Sequence, residues 1–421
     1  MKVPRAGPPA PAPGARQTLA PAVWRVGTVL GLAQFGFAAV LPLLPLYLTE
    51  HLGASVKLVG VIVATFALVE TVFKTAWGGL TDRLGRKPVM VSGLVLSSLA
   101  PAVMVVLRVP VLFVPLRLVD GLGSAALWPA AAAAIADATP PRHRATGMAA
   151  LNLCVLTGLA LGPSAGLFVA GLSGDVRAGF VLASLLLLTA AGLAAWMFPA
   201  ERPGTPPARW NGYHSPVRPG ELQRLIAANR VDPLLAALYL VAFVQMLGAG
   251  LLVPIAAIYA RRVVGLSEHA IGVVFLVLVL AVAVATVPAG RAADRLGKPR
   301  MVLVGMLLGA AGMWVVPFAT QLWELSAAGV LLGMSYAASA PAWLALISEL
   351  APPDRLGLAV GASETVQALG LVVGPLLGGL LWDAAGPQAP FVASAAVLTL
   401  GMLIATVAVR RHDVLVRAVR G

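Results

Sequence analysis

The sequence predicts an all-α membrane protein of twelve transmembrane helices, arranged as two six-helix bundles related by a pseudo-twofold axis along the membrane normal. Three observations carry this expectation. The 421-residue chain is 59% hydrophobic and 11% charged, against roughly 45–50% and about 25% in a soluble domain, which excludes a water-soluble globule. Apolar stretches of about 20 residues, each long enough to cross a hydrocarbon core of about 30 Å, recur along its length. Finally, the two halves of the chain match at an offset of 212 residues.

The first 23 residues are rich in Pro and Ala and read as a disordered cytoplasmic tail, because the apolar segment that follows is too long for the core of a secretory signal. Span cores are expected at 24–48, 58–79, 89–107, 110–136, 146–171 and 179–198, which make an N-terminal bundle over 24–198. A cytoplasmic linker, 199–232, follows. Its stretch ELQRLIAANR puts Leu222, Leu225 and Ile226 on one helical face, as in an interfacial helix. The C-terminal bundle, 233–409, holds spans at 233–260, 268–289, 301–319, 323–348, 358–382 and 389–409, before a cytoplasmic tail at 410–421.

The net charge of +13 is topological. Of 30 basic residues, 23 lie in the termini, the linker and the loops of one face, whereas Lys57, Arg108, Arg177, Arg261 and Arg262 lie on the other. Basic loops stay in the cytoplasm, so both termini are expected there, in a cell (inner) membrane, and no nucleic-acid partner is implied. A single cysteine, Cys154, makes no internal disulfide, and the five histidines form no cluster with it, so no metal or other cofactor is expected. Without a GxxxxGK[ST] phosphate loop the chain does not supply its own ATPase, and nothing in it marks an enzyme.

The internal match falls on residues that fix backbone geometry. Pro42 aligns with Pro254, Tyr47 with Tyr259, Ser55 with Ser267, Gly78 with Gly290, Gly85 with Gly297, Gly162 with Gly374 and Pro163 with Pro375. Six spans per half is an even number, so the halves share one orientation and enclose a cavity that opens to either face as they rock. That is the alternating-access design of secondary transporters, so transport driven by an ion gradient or by the substrate's own is expected.

Two loops carry a repeated motif, GGLTDRLGRKPVM at 78–90 and GRAADRLGKPRMV at 290–302. They resemble the signature of the major facilitator superfamily, and the resemblance covers nearly the whole chain. It implies a cytoplasmic gate built from Gly78, Asp82, Arg83, Gly85, Arg86 and Asp137, with Asp294 and Arg295 in the second copy. In that family the Asp82 carboxylate meets the start of span 11, and Arg86 pairs with the acid at the end of span 4, here Asp137. The second copy lacks one basic residue, since Pro299 follows Lys298, so a weaker latch is expected there.

Span 5, with Gly158, Gly162 and Pro163, and span 11, with Gly374, Pro375 and Gly378, resemble a helix-packing motif of the drug:proton antiporter branch. Span 5 departs from it at Ala149 and Leu167. RLVDGLGSAALWP in span 4 is similar to the family's R-x-x-Q-G-x-G, with Asp120 in place of glutamine.

Five ionisable residues lie well inside spans: Glu70, Lys74, Arg117, Asp120 and Glu364. Each costs about 2.5–3.5 kcal/mol on insertion scales and invites a functional reading. Glu70 with Lys74, and Arg117 with Asp120, are spaced to pair on one helical face, near Trp77 and Trp128 respectively. Glu364, which aligns with Asn152, has no basic residue one turn away; a lone carboxylate in a low-dielectric cavity suits reversible protonation. Gln34 and Gln245 complete the polar candidates. The expected function is proton-coupled export of small amphipathic compounds by a monomer in the bilayer, with a metabolite or sugar symporter or a uniporter as the alternative.

Overall fold

The computed structural model describes residues 21–140, 143–198, 233–351 and 356–420. The proposed linker and most of the N-terminal tail lie outside the described residues. Twelve helices among them are long and apolar enough to span a membrane. Spans 1–6 are Pro21–His51, Val56–Leu84, Arg86–Met104, Pro110–Ala138, Thr146–Ser173 and Arg177–Met197. Spans 7–12 are Leu235–Arg262, Glu268–Leu296, Lys298–Phe318, Leu322–Leu350, Ala359–Ala385 and Ala389–Val407. This is a multi-pass membrane protein. The helix of span 12 continues to Arg420, through most of the stretch expected as a tail.

Proline explains where spans bend. Pro254 lacks an N–H, and span 7 splits around it into Pro233–Leu252 and Ala256–Arg262. Pro129 does the same to span 4, which breaks at Ala126 between Phe113–Ala125 and Leu127–Ala138. Span 1 accommodates Pro42 and Pro45 within its α-helix and ends in a π turn over Tyr47–His51, where Thr49 Oγ1 donates to the Pro45 carbonyl at 2.9 Å.

The repeat survives in three dimensions. Ser55 caps span 2 by accepting from Leu58 N–H, and Ser267 caps span 8 by accepting from Ala270 N–H. Gly85 and Gly297 take φ of 93° and 92°, in the region that favours glycine, to turn span 2 into span 3 and span 8 into span 9. Tyr47 and Tyr259 are both fully buried, and their hydroxyls donate to the carbonyls of Leu107 and Pro317 at 3.2 and 3.1 Å.

Small residues set the spacing within each bundle. A Cβ on Gly158 would lie 2.9 Å from Phe35 N, and one on Gly162 would lie 2.7 Å from Phe35 O, so span 5 rides on the backbone of span 1. Pro163 is buried beside them. Span 11 repeats this on span 7: a Cβ on Gly374 would come within 2.6 Å of Gly250 Cα, and one on Gly378 within 3.0 Å of the Leu251 carbonyl carbon.

Candidate functional site

The bundles touch at the end of the molecule opposite the two termini. There span 2 meets span 11, with Gly379 so close that a Cβ would lie 2.6 Å from Val56 O and 2.9 Å from Lys57 Cα. Span 5 meets span 8, where the His269 ring occupies the space a side chain on Gly171 would need and tilts against Phe168 at 6.0 Å. Polar ties join the halves at this end as well. Lys57 N–H donates to Asp383 Oδ2 at 3.0 Å, and Arg262 Nη2 to the Thr49 carbonyl at 2.7 Å. Arg261 lies 3.5 Å from Glu50 and 3.3 Å from Glu268, bridging span 1 to spans 7 and 8. Toward the end that carries the termini span 11 has no such neighbour: a Cβ on Gly361, fourteen residues before the Pro375 that packs on Gly60, would meet nothing within 4 Å. The halves therefore part toward the terminal end, leaving a cleft there.

Sequence reasoning missed this latch. Arg261 and Arg262 entered it only as topological charges, because Glu50, Arg261 and Glu268 sit at the ends of three different spans that only the fold brings together.

The interior charges form a connected group in the N-terminal half. Arg117 Nη1 lies 2.5 Å from Asp120 Oδ2, with side chains 6% and 4% exposed. Phe66 of span 2 places its ring 4.1 Å from the Arg117 guanidinium, and Ser97 of span 3 donates to the Asp120 backbone carbonyl at 3.1 Å. Asp120 Oδ1 and Arg117 Nε are buried with no hydrogen-bond partner among the described residues. Lys74 and Glu70 pair at 2.9 Å and are part-exposed, and Glu70 lies within electrostatic reach of both Arg117 and Asp120. The group thus runs from an exposed cation to a buried carboxylate. Trp77 and Trp128 are part-buried against the apolar core of the same half.

Glu364 departs from expectation. It is exposed on span 11 rather than enclosed in a low-dielectric cavity, because the cleft at its level is open. Its repeat partner Asn152 is exposed too, and Gln34 and Gln245 are half-buried in spans 1 and 7.

At the terminal end, Arg86 Nε lies 2.8 Å from Asp137 Oδ2, joining span 3 to span 4. The second copy has the same device: Lys298 pairs with Glu349. Both members lie 212 residues beyond their counterparts, so the offset that aligned the halves also points to Glu349, which sequence reasoning overlooked. Pro299 does not disturb the pair, since it falls in the first turn of its helix, where a missing N–H is harmless. Asp82, Arg83, Asp294 and Arg295 are exposed, and Gly78 is part-buried. The expected partner of Asp82, the start of span 11, adjoins residues 352–355, which lie outside the described residues.

The family model of the Major Facilitator Superfamily matches residues 26–245 and 238–420. The chain belongs to the Major Facilitator Superfamily. Among its relatives are multidrug resistance protein 2 of Bacillus subtilis, 24% identical over 88% of this chain and 91% of the relative, and the class G tetracycline resistance protein of Vibrio anguillarum, 30% identical over 83% and 87%. The fold is shared with a bacterial homolog of the human lysosomal transporter Spinster in an inward-facing, unoccupied conformation, at a TM-score of 0.74 and 16% identity over 94% of this chain and 98% of that one. This superfamily member is accordingly a transporter, built as two bundles around a cleft.

Proposed function

We propose that this transporter exports small amphipathic compounds in exchange for protons, as a monomer of the cell (inner) membrane with both termini in the cytoplasm. The observation that carries the coupling is the charged group of the N-terminal half. Charges inside a membrane are expensive, and here four of them, Lys74, Glu70, Arg117 and Asp120, lead from the cleft into the bundle core. Asp120 and Glu364 are the proposed proton or cation sites, and Arg117 sets the affinity of Asp120. The substrate class is supported by relatives named for multidrug and tetracycline resistance. Basic loops support the orientation. One chain holds both halves and the whole cleft, which supports a monomer. Asp82, Arg83, Arg86 and Asp137, with Asp294 and Arg295, serve as the cytoplasmic gate.

In proteoliposomes with an imposed pH gradient, Asp120→Asn or Glu364→Gln is expected to abolish gradient-driven export while leaving downhill exchange. Uphill transport at the unmodified rate by both single variants and by the double variant would remove proton coupling through these carboxylates and favour a symporter or uniporter.

A further inference from the structure

The geometry points to an ion pair that forms only in the opposite conformation. We infer that Lys74 of span 2 and Glu364 of span 11 join the two halves when the cleft closes at the terminal end, Lys74 exchanging its present partner Glu70 for Glu364. The inference rests on alternating closure of the halves and not on the identity of the substrate.

Register supports the pairing. Spans 2 and 11 run antiparallel and touch where Gly60 packs on the Pro375 carbonyl, a Cβ there lying 3.2 Å from the carbonyl carbon. Lys74 is fourteen residues beyond Gly60, and Glu364 eleven residues before Pro375. At about 1.5 Å per residue, Lys74 lies roughly 21 Å and Glu364 roughly 16–17 Å from that contact, both toward the terminal end. At about 100° per residue, Lys74 turns roughly 40° and Glu364 roughly 20° away from the contact line. Followed toward the terminal end, the two right-handed helices make these turns to the same side of that line. When the helices close along their length, the ammonium and the carboxylate therefore approach across one seam within about a helical turn of each other, a span that the long flexible Lys side chain bridges.

Charge balance supports it too. The Glu70–Lys74 pair is part-exposed on a single helix, so giving it up costs little. Glu70 is not stranded, because Arg117 is within its electrostatic reach. Glu364, now exposed in the open cleft, would lose water on closure and needs a cation there. The Arg261–Glu50 pair joins the halves at the opposite end now, so one inter-half pair would replace another as the molecule rocks.

The experiment uses the full chain with its one cysteine removed (Cys154→Ala), so that introduced thiols report alone. Lys74→Cys with Glu364→Cys is expected to cross-link through a short bis-maleimide and hold the terminal end shut. Lys57→Cys with Asp383→Cys, at the end closed here, is the positive control. Separately, with a reporter at Thr365→Cys, exposed beside Glu364 on span 11, Lys74→Glu or Glu364→Lys alone is expected to raise alkylation about three- to tenfold, because like charges hold the cleft open. The double reversal should return the rate to that of the unreversed protein. Absence of the cross-link while the control pair reacts, or a double reversal as reactive as the single ones, overturns the proposal. Neither readout involves transport, so failure here is distinguishable from failure of the proposed coupling.

Discussion

The two halves of this transporter agree at their turns and latches and differ in their interiors. Ser55 and Ser267, Gly85 and Gly297, and Arg86–Asp137 and Lys298–Glu349 are the same devices placed twice. Yet Glu70, Lys74, Arg117 and Asp120 correspond to Val282, Thr286, Gly329 and Leu332. Duplication preserved what builds a bundle. The charged group, which no packing rule demands, belongs to one half and is the part of the N-terminal bundle that architecture leaves unexplained.

That contrast is open to direct attack. The largest effect is expected from Asp120→Leu, which installs the residue of the other half. It leaves Arg117 buried and unpaired, and should destabilise the protein by about 3–5 kcal/mol. Adding Arg117→Met should recover most of that stability without recovering gradient-driven transport. Thermal unfolding read beside uphill transport separates the two, and a single variant as stable as the parent would mean that the N-terminal interior is no different from its counterpart.

A middle-sized effect tests the shared skeleton. Gly162→Val and Gly374→Val each push a branched side chain into a neighbouring backbone, so both should cost about 1–3 kcal/mol, and by similar amounts. A large inequality in unfolding temperature would break the structural equivalence of the two seams.

The smallest effect distinguishes the latches. Lys298 and Glu349 are more exposed than Arg86 and Asp137, so Lys298→Ala should cost about 0.2–1 kcal/mol and Arg86→Ala more. The reverse order in a denaturation series would show that exposure does not rank them.

The spans were legible because a membrane demands about 20 apolar residues at a time, and the repeat because Gly and Pro constrain backbone directly. Pairs one helical turn apart, such as Arg117 with Asp120, were legible for the same kind of reason: spacing alone puts them on one face. Lys298–Glu349 was within reach through the 212-residue offset. The Arg261 latch was not, because its partners are distant in sequence and only the packing of the bundles brings them together. Nor was the exposure of Glu364, which depends on the conformation as well as on the helical face.

The seam between spans 2 and 11 is built at Gly60, which packs on the Pro375 carbonyl, and Gly379, which packs on the backbone of Val56 and Lys57; neither glycine has a side chain to reorder. A seam of interlocking long side chains must restrict rotamers each time it forms and free them each time it parts, at up to about 2 kcal/mol per residue. A glycine resting on a neighbouring backbone carries no such entropy. At this stretch of the seam contact is made and broken with little side-chain reorganisation, which leaves the cost of opening this end to the polar ties and the His269 packing around it.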